Sequence, residues 1–224
     1  MEDRFLRNLD ALTETECAVL RKKKVLIAGC GGIGGYLEEY LLRVGIGEIR
    51  VVDPDCFEPS NFNHQLLCTE DSLGRYKAET AARRAASVAP STSFSGHICR
   101  LDETTLPGLL RGCDAALDAL DNIPGRLLLK AECDRQGIPY VFGAVNGWCA
   151  QAVLSLPGDG ILDKLFPEHC DTEACKNSAL SFSPALCAAL QASLCVQLLC
   201  ERPVKPGVFY SFNLEDMELN SIRL

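Results

Sequence analysis

The chain has 224 residues, 47% of them hydrophobic and 23% charged, the make-up of one globular domain with a core of its own. Its 30 acids against 22 bases leave a formal charge of −8, which speaks against a nucleic-acid partner, because such proteins carry a basic surplus. Anionic ligands stay admissible, since backbone amides at a helix N-terminus and a few local cations are enough to hold one.

Residues 1–23 read as a polar lead-in with a short helix over 14–20. The opening MEDRFLRNLD has no apolar segment of the kind that directs export. The chain is therefore expected in the cytoplasm, with its 13 cysteines as free thiols that mostly serve as small buried hydrophobes. VLIAG (25–29) is a short β-branched apolar run, as in a central parallel strand covered on both faces. A glycine loop follows, then a helix over 33–43 closed by Gly45 and Gly47, and a second strand, IRVVD (49–53). Beyond a loop at 54–65 come a helix at 75–88, a strand at 93–98, a helix at 103–110, a strand at 115–117 and a helix at 122–136. Strands alternating with helices predict βαβ units and a mostly parallel sheet.

From residue 139 the pattern changes. PYVFGAV, then Asn146-Gly147, then WCAQAVLSL reads as a hairpin whose Asn-Gly supplies the two positive-φ residues of a type I′ turn. An irregular segment (157–177) precedes a charge-free run (177–200) long enough to span a bilayer. Pro184, Gln191, Gln197 and several serines in that run predict instead a helix starting near Pro184, buried in the fold or against a second copy. Residues 207–213 and 216–224 read as a further strand pair. The expected fold is α/β: a Rossmann-like, doubly wound, mostly parallel sheet with an antiparallel C-terminal extension. One domain covers 1–224, divided into the lead-in 1–23, a core over 24–145, and the extension with its buried helix over 146–224.

Gly29-Cys30-Gly31-Gly32-Ile33-Gly34 spells GxGxxG between strand and helix. There the first glycine permits the tight turn, the second lets a phosphate approach the backbone, and the third, Gly34, lets helix and strand pack closely. Asp53 ends the second strand, where an acid accepts hydrogen bonds from a ribose. A purely structural turn and a solvated strand-end acid are the plain alternatives, and an NAD-dependent oxidoreductase fits this much equally well.

The following segment separates these readings. DPDCFEPSNFNHQLL (53–67) gathers Ser60, Asn61, Asn63, His64 and Gln65 just past a strand. With GRYKAE (74–79), DALDN (118–122), the apolar stretch holding Gln191 and the lead-in DRFLRN (3–8), it resembles the ThiF/MoeB/HesA family of adenylyltransferases across nearly the whole chain. The resemblance implies an enzyme that uses ATP and Mg²⁺ to adenylate the C-terminal carboxylate of a small ubiquitin-like sulfur-carrier protein ending in Gly-Gly. It implies that Gly32, Ser60 to His64 and Lys77 line the phosphates, that Asp53 holds the ribose, and that Asp121, with Asn122 beside it, takes the magnesium. It implies a homodimer in which Arg7 reaches the triphosphate of the other subunit.

The chemistry asks for the same residue types independently. A carboxylate attacking an α-phosphate sets anion against anion, so positioning and charge neutralisation carry the catalysis. Lys77 and Arg7 supply positive charge, and Asp121 is a hard oxygen donor suited to Mg²⁺. Asp121 could equally cap the helix that follows, and Lys77 could be a surface lysine.

Two departures from the family stand out. Its Ser-Asn-x-Asn-Arg has His64 for arginine, replacing a forked, permanent cation by an imidazole that carries no charge when neutral. No CxxC pair occurs and ILDKLFP (161–167) has no cysteine, so no structural zinc is expected. For thioester or persulfide chemistry Cys175 is the best-placed thiol and Cys170 the second; with His169 these could alternatively approach a metal at poor spacing. Other readings stay open: activation of a peptide or tRNA-bound carboxylate, a non-catalytic binding module of the same fold, or an oxidoreductase.

Overall fold

In the computed structural model, which describes residues 3–167 and 178–224, α1 (Glu14–Leu20) leads to β1 (Lys24–Ala28), α2 (Gly32–Val44) and β2 (Glu48–Val52). Then come α3 (Lys77–Val88), β3 (Ser93–His97), α4 (Leu106–Leu110), β4 (Ala115–Asp118) and α5 (Ile123–Gln136). The C-terminal part contains β5 (Tyr140–Asn146), β6 (Cys149–Ser155), α6 (Ile161–Leu165), α7 (Phe182–Leu199), β7 (Val208–Asn213) and β8 (Glu218–Arg223). All the strands join one sheet in the order β3-β2-β1-β4-β5-β6-β7-β8, parallel through β5 and antiparallel from there on. The C-terminal strand pair is thus a continuation of the sheet through the β6–β7 ladder rather than a separate ribbon.

β1 shows why its sequence is apolar throughout. Side chains alternate across a strand, so Val25 and Ile27 enter one core while Leu26 and Ala28 enter the other. The first core lies under α1, α2, α3 and α7, and the second under α4, α5 and α6. With both faces covered, every position of the strand has to be apolar. The charge-free run forms α7, which packs on α2 and against β4, β5 and β6. Cys187, Ala188, Gln191 and Cys195 lie on its fully buried stripe.

Four local expectations shift, the first being that α6 (Ile161–Leu165) forms within the segment 157–177 expected to be irregular. Asn146 pairs with Cys149, so the hairpin turn is Gly147-Trp148, and only Gly147 has positive φ, at 55°. A glycine in the first loop position satisfies a turn that needs a single positive φ. Contacts with the start of α7 hold this register: Gly147 N–H donates to Ser178 O at 2.7 Å, and Ser183 Oγ donates to Gly147 O at 2.6 Å. α3 begins at Lys77 rather than 75, because Gly74 N–H and Arg75 O pair with Phe57 and hold the chain extended. α4 begins at Leu106 rather than 103, because the Asp102 carboxylate takes the amides of Thr104 and Thr105 into a turn.

Candidate nucleotide site

The strand order reverses between β1 and β4, and a crevice at the carboxyl ends of such strands is where doubly wound sheets bind ligands. A cavity of about 420 Å³ opens there. Its walls include the glycine loop and start of α2, the end of β2 with Pro54 and Asp55, Lys77 on α3, residues 119–122 after β4, Ser178 and Ala179 ahead of α7, and Pro184 in its first turn.

The glycines divide into two pairs. Gly29 has φ 95°, and a Cβ there would lie 2.6 Å from Ala119 O; a Cβ on Gly34 would lie 1.9 Å from Gly29 O. These two are required by the packing of β1, β4 and α2 on one another. Among the described residues a Cβ on Gly31 would meet only the Gln65 side-chain amide, at 3.6 Å, and one on Gly32 would press on His64 Cδ2 at 3.2 Å. Both line the cavity, where the missing side chains leave the N-terminal amides of α2 open to an anion.

Asp53 is 5% exposed and bridges two segments: it accepts Cys30 N–H at 2.7 Å and Asp55 N–H at 2.8 Å. Burial pushes its carboxyl up, against those two amides and the charge of Lys77. So Asp53 braces the glycine loop as well as lining the cavity. Lys77 is 8% exposed, not a surface lysine, and its Nζ lies 3.6 Å from Asp55 Oδ2. His64 has a definite tautomer. Asn63 Nδ2 donates to Ala179 O, which aims Asn63 Oδ1 at His64 Nδ1, 2.7 Å away, so Nδ1 holds the proton and donates. Nε2 then accepts from Gln65 Nε2 at 3.4 Å. Burial and the neighbouring Lys77 charge push the imidazole below its ordinary value, which keeps it neutral.

The β4 wall rests on buried charge. Asp118 is fully buried; Arg126 Nη1 donates to its Oδ2 at 3.0 Å, the Tyr140 hydroxyl donates to the same oxygen, and Leu120 N–H donates to Oδ1 at 2.9 Å. Arg126 also donates to Gly143 O at 2.7 Å and to Leu120 O, with its guanidinium over the Phe142 ring. Burial pushes the Asp118 carboxyl up, and Arg126 and Tyr140 oppose that. Gln191 Nε2 crosses from α7 to donate to Asp118 O and Val141 O, both at 2.9 Å, passing where a Cβ on Gly143 would sit. The chain after β4 is therefore held from three sides. Asn122 caps α5 by accepting Gly125 N–H at 2.9 Å. Asp121 is released from that duty, exposed in the cavity, with Oδ1 accepting Asn122 Nδ2 at 3.2 Å.

Gly31, Gly32, Asp53, His64, Lys77, Asp121 and Asn122 thus meet around one cavity. Ser60, Asn61 and Asn63, expected along the phosphates, are not among the residues that line it. Asn61 accepts Glu58 N–H and donates weakly to Ser60 Oγ, while Asn63 ties the loop to Ala179. In these contacts they shape the loop that carries His64. Arg7 is exposed on a short 3-10 helix (Asp3–Asn8) and does not reach the cavity of its own chain. His169, Cys170 and Cys175 lie outside the described residues. Sequence reasoning missed Arg126 and Tyr140; the available signal was an arginine in the first turn of the helix after DALDN. It also missed Asp55 and Arg100, which line the cavity without belonging to a motif.

A doubly wound sheet whose glycine loop, strand-end carboxylate and buried lysine surround a cavity at the switch point defines a nucleotide-binding protein of the Rossmann type. The chain belongs to the ThiF family, whose pattern matches residues 4–224. It is 32% identical over 227 residues to the SAMP-activating enzyme E1 of Haloferax volcanii, covering 98% of this chain and 84% of that protein. It is 30% identical over 215 residues to the sulfur carrier protein ThiS adenylyltransferase of Bacillus subtilis, covering 91% of this chain but only 62% of that one. In fold it is similar to E. coli MccB solved with AMPCPP and MccA, with a TM-score of 0.84 at 22% identity over 99% of this chain and 71% of MccB.

Proposed function

We propose that the protein uses ATP to adenylate the C-terminal carboxylate of a small ubiquitin-like sulfur-carrier protein ending in Gly-Gly. The observation that carries this reading is the convergence of the α2 amides, Lys77 and Asp121 on one cavity, in a member of the ThiF family. Relatives named as an activating enzyme E1 and as sulfur carrier protein adenylyltransferases favour it over the oxidoreductase and the binding module.

A carboxylate oxygen of the carrier attacks the α-phosphorus. A C–O–P bond forms, the bond to the bridging oxygen breaks, and pyrophosphate leaves with that electron pair. Negative charge builds up between the phosphates, where fixed amides and a buried ammonium stabilise it without reorganising. The open amides at Gly31 and Gly32 and the ammonium of Lys77 are suited to this. Magnesium fits the donor set: Asp121 offers one exposed carboxylate, and Mg²⁺ on a nucleotide takes one or two protein carboxylates with phosphate oxygens and waters. When bound there, the ion would neutralise phosphate charge. Neutral His64 adds no charge, and in this reading Lys77 and a second subunit's Arg7 neutralise the phosphates. The homodimer in this reading is supported by apolar surface at the β5–β6 turn and the start of α7, where the contacting rings of Trp148 and Phe182 are 42% and 43% exposed. A cytoplasmic setting is supported by the free state of the described cysteines.

Exchange of labelled pyrophosphate into ATP tests the activity, because adenylate formation is reversible. Exchange is expected only with a carrier whose terminal carboxylate is intact, and Asp121→Ala should abolish it. Tight NAD binding, or ATP binding without exchange for any Gly-Gly carrier, would reject the reading. Light scattering at micromolar concentration should give a dimer; a monomer removes the role of Arg7.

A further inference from the structure

Three cations line the cavity, and two of them are engaged within the protein. Lys77 faces Asp55, and Arg126 is bound to Asp118 and two backbone carbonyls. Arg100 differs: among the described residues its guanidinium has no ion-pair or hydrogen-bond partner. Its backbone is nonetheless fixed. Thr105 Oγ1 donates to Arg100 O at 3.1 Å, and the Asp102 carboxylate takes Thr104 N–H and Thr105 N–H, both at 2.8 Å, in the turn that starts α4. A free planar cation is held on a rigid base at the rim of the cavity.

Its place in the sheet says which part of a nucleotide it meets. The glycine loop follows β1, Asp53 follows β2, and Arg100 lies three residues beyond the end of β3. Adjacent strands are about 4.8 Å apart, so Arg100 stands roughly 10 Å from the glycine loop across the sheet, with Asp53 between them. Phosphates over the α2 amides and a ribose over Asp53 leave the nucleobase on the β3 side. Pro54 and Leu120 add apolar surface to the same cavity.

We propose that Arg100 stacks its guanidinium plane on the nucleobase of the bound nucleotide and sets a preference for purines by contact area. The proposal rests on the cavity being the ATP site. A guanidinium is flat, delocalised and weakly hydrated, so it stacks on an aromatic face where a lysine ammonium does not. Stacking tolerates any base but rewards the larger one, and it ignores the phosphates.

Calorimetric titration of the wild type, Arg100→Ala and Arg100→Lys with adenosine, ATP with Mg²⁺, and CTP with Mg²⁺ tests it. Arg100 is exposed, so the variants should melt with the wild type. Arg100→Ala is expected to weaken adenosine and ATP by the same factor, about tenfold, and to narrow the preference for ATP over CTP. Arg100→Lys should recover little of either. Loss for ATP but not adenosine, restored by lysine, would make Arg100 a phosphate contact and overturn the proposal, as would unchanged affinities. A wild type that binds no ATP would overturn the ATP site itself; a wild type that binds ATP beside an unaltered Arg100→Ala overturns only the role of Arg100.

Discussion

At β1 the cavity wall is backbone: Gly29 and Gly34 are in contact with main-chain atoms, and Asp53 takes amide hydrogens to hold the loop. At β4 the wall is a buried ion pair, Asp118 with Arg126, completed by Tyr140 and by Gln191 from α7. The first device is local and tolerates no added atom. The second joins β4, β5, α5 and α7: Arg126 and Tyr140 both satisfy the Asp118 carboxylate while Gln191 donates to the carbonyls of Asp118 and Val141, so that removing Arg126 strands a buried charge. Both serve one end, which is to leave the α2 amides and the Asp121 carboxylate free for a ligand.

The largest effect is expected from breaking the β4 wall. Arg126→Ala leaves Asp118 buried without its cation and two carbonyls without a donor, and should cost about 3–5 kcal/mol by urea unfolding. Arg126→Lys, which keeps the charge but not the fork, should fall between. A loss below about 1 kcal/mol would mean that backbone alone holds both walls. Gly34→Ala tests the β1 wall and should cost about 3 kcal/mol, since a Cβ 1.9 Å from Gly29 O can be relieved only by moving main chain.

A third test compares two buried carboxyls. Asp118 has a cation; Glu38 on α2 is fully buried, and among the described residues neither of its oxygens has a hydrogen-bond partner. Burial and the neighbouring Glu39 push Glu38 well above the ordinary carboxyl range, so it is neutral in the fold. The unfolded chain ionises it near pH 4.3, roughly the free-glutamate value. The folded state therefore holds the extra proton, and stability falls as pH rises from the unfolded value toward the folded one. Glu38→Gln should match the wild type at pH 4 and become progressively the more stable of the two as pH rises toward 8. The same difference at both pH values would show that the Glu38 carboxyl titrates in the fold as it does in the unfolded chain. The smallest effect on stability, about 1 kcal/mol from a poorer N-cap, is expected for Gly31→Ala, whose Cβ meets no backbone atom. Its ATP affinity should nonetheless drop, because the methyl stands in the cavity. Unchanged ATP affinity by calorimetry would place the phosphates elsewhere.

Much of this was legible in the chain. Each expected strand and helix occurs in its expected order, because periods of 2 and 3.6 and the punctuation by glycine are local signals. The glycine loop, Asp53, Lys77 and Asp121 were legible for a related reason: in a doubly wound sheet the ends of successive strands gather at one edge. The turn at Gly147 was misplaced by one residue because its register depends on Ser178 and Ser183, which the hairpin sequence does not contain.

By itself, then, the sequence determined the order of the elements, the apolar faces, and which loops reach the carboxyl edge of the sheet. Tertiary structure alone decided that His64 lines the cavity while Ser60, Asn61 and Asn63 stay outside its walls. It decided that Asn122 rather than Asp121 caps α5, that Asn63 fixes the tautomer of His64, and that Arg126 and Tyr140 enclose Asp118. The physical reason is distance along the chain. Periodicity reports the neighbours a residue has within two turns, whereas Gln191 and Asp118 are 73 positions apart and meet only after α7 has packed on the sheet.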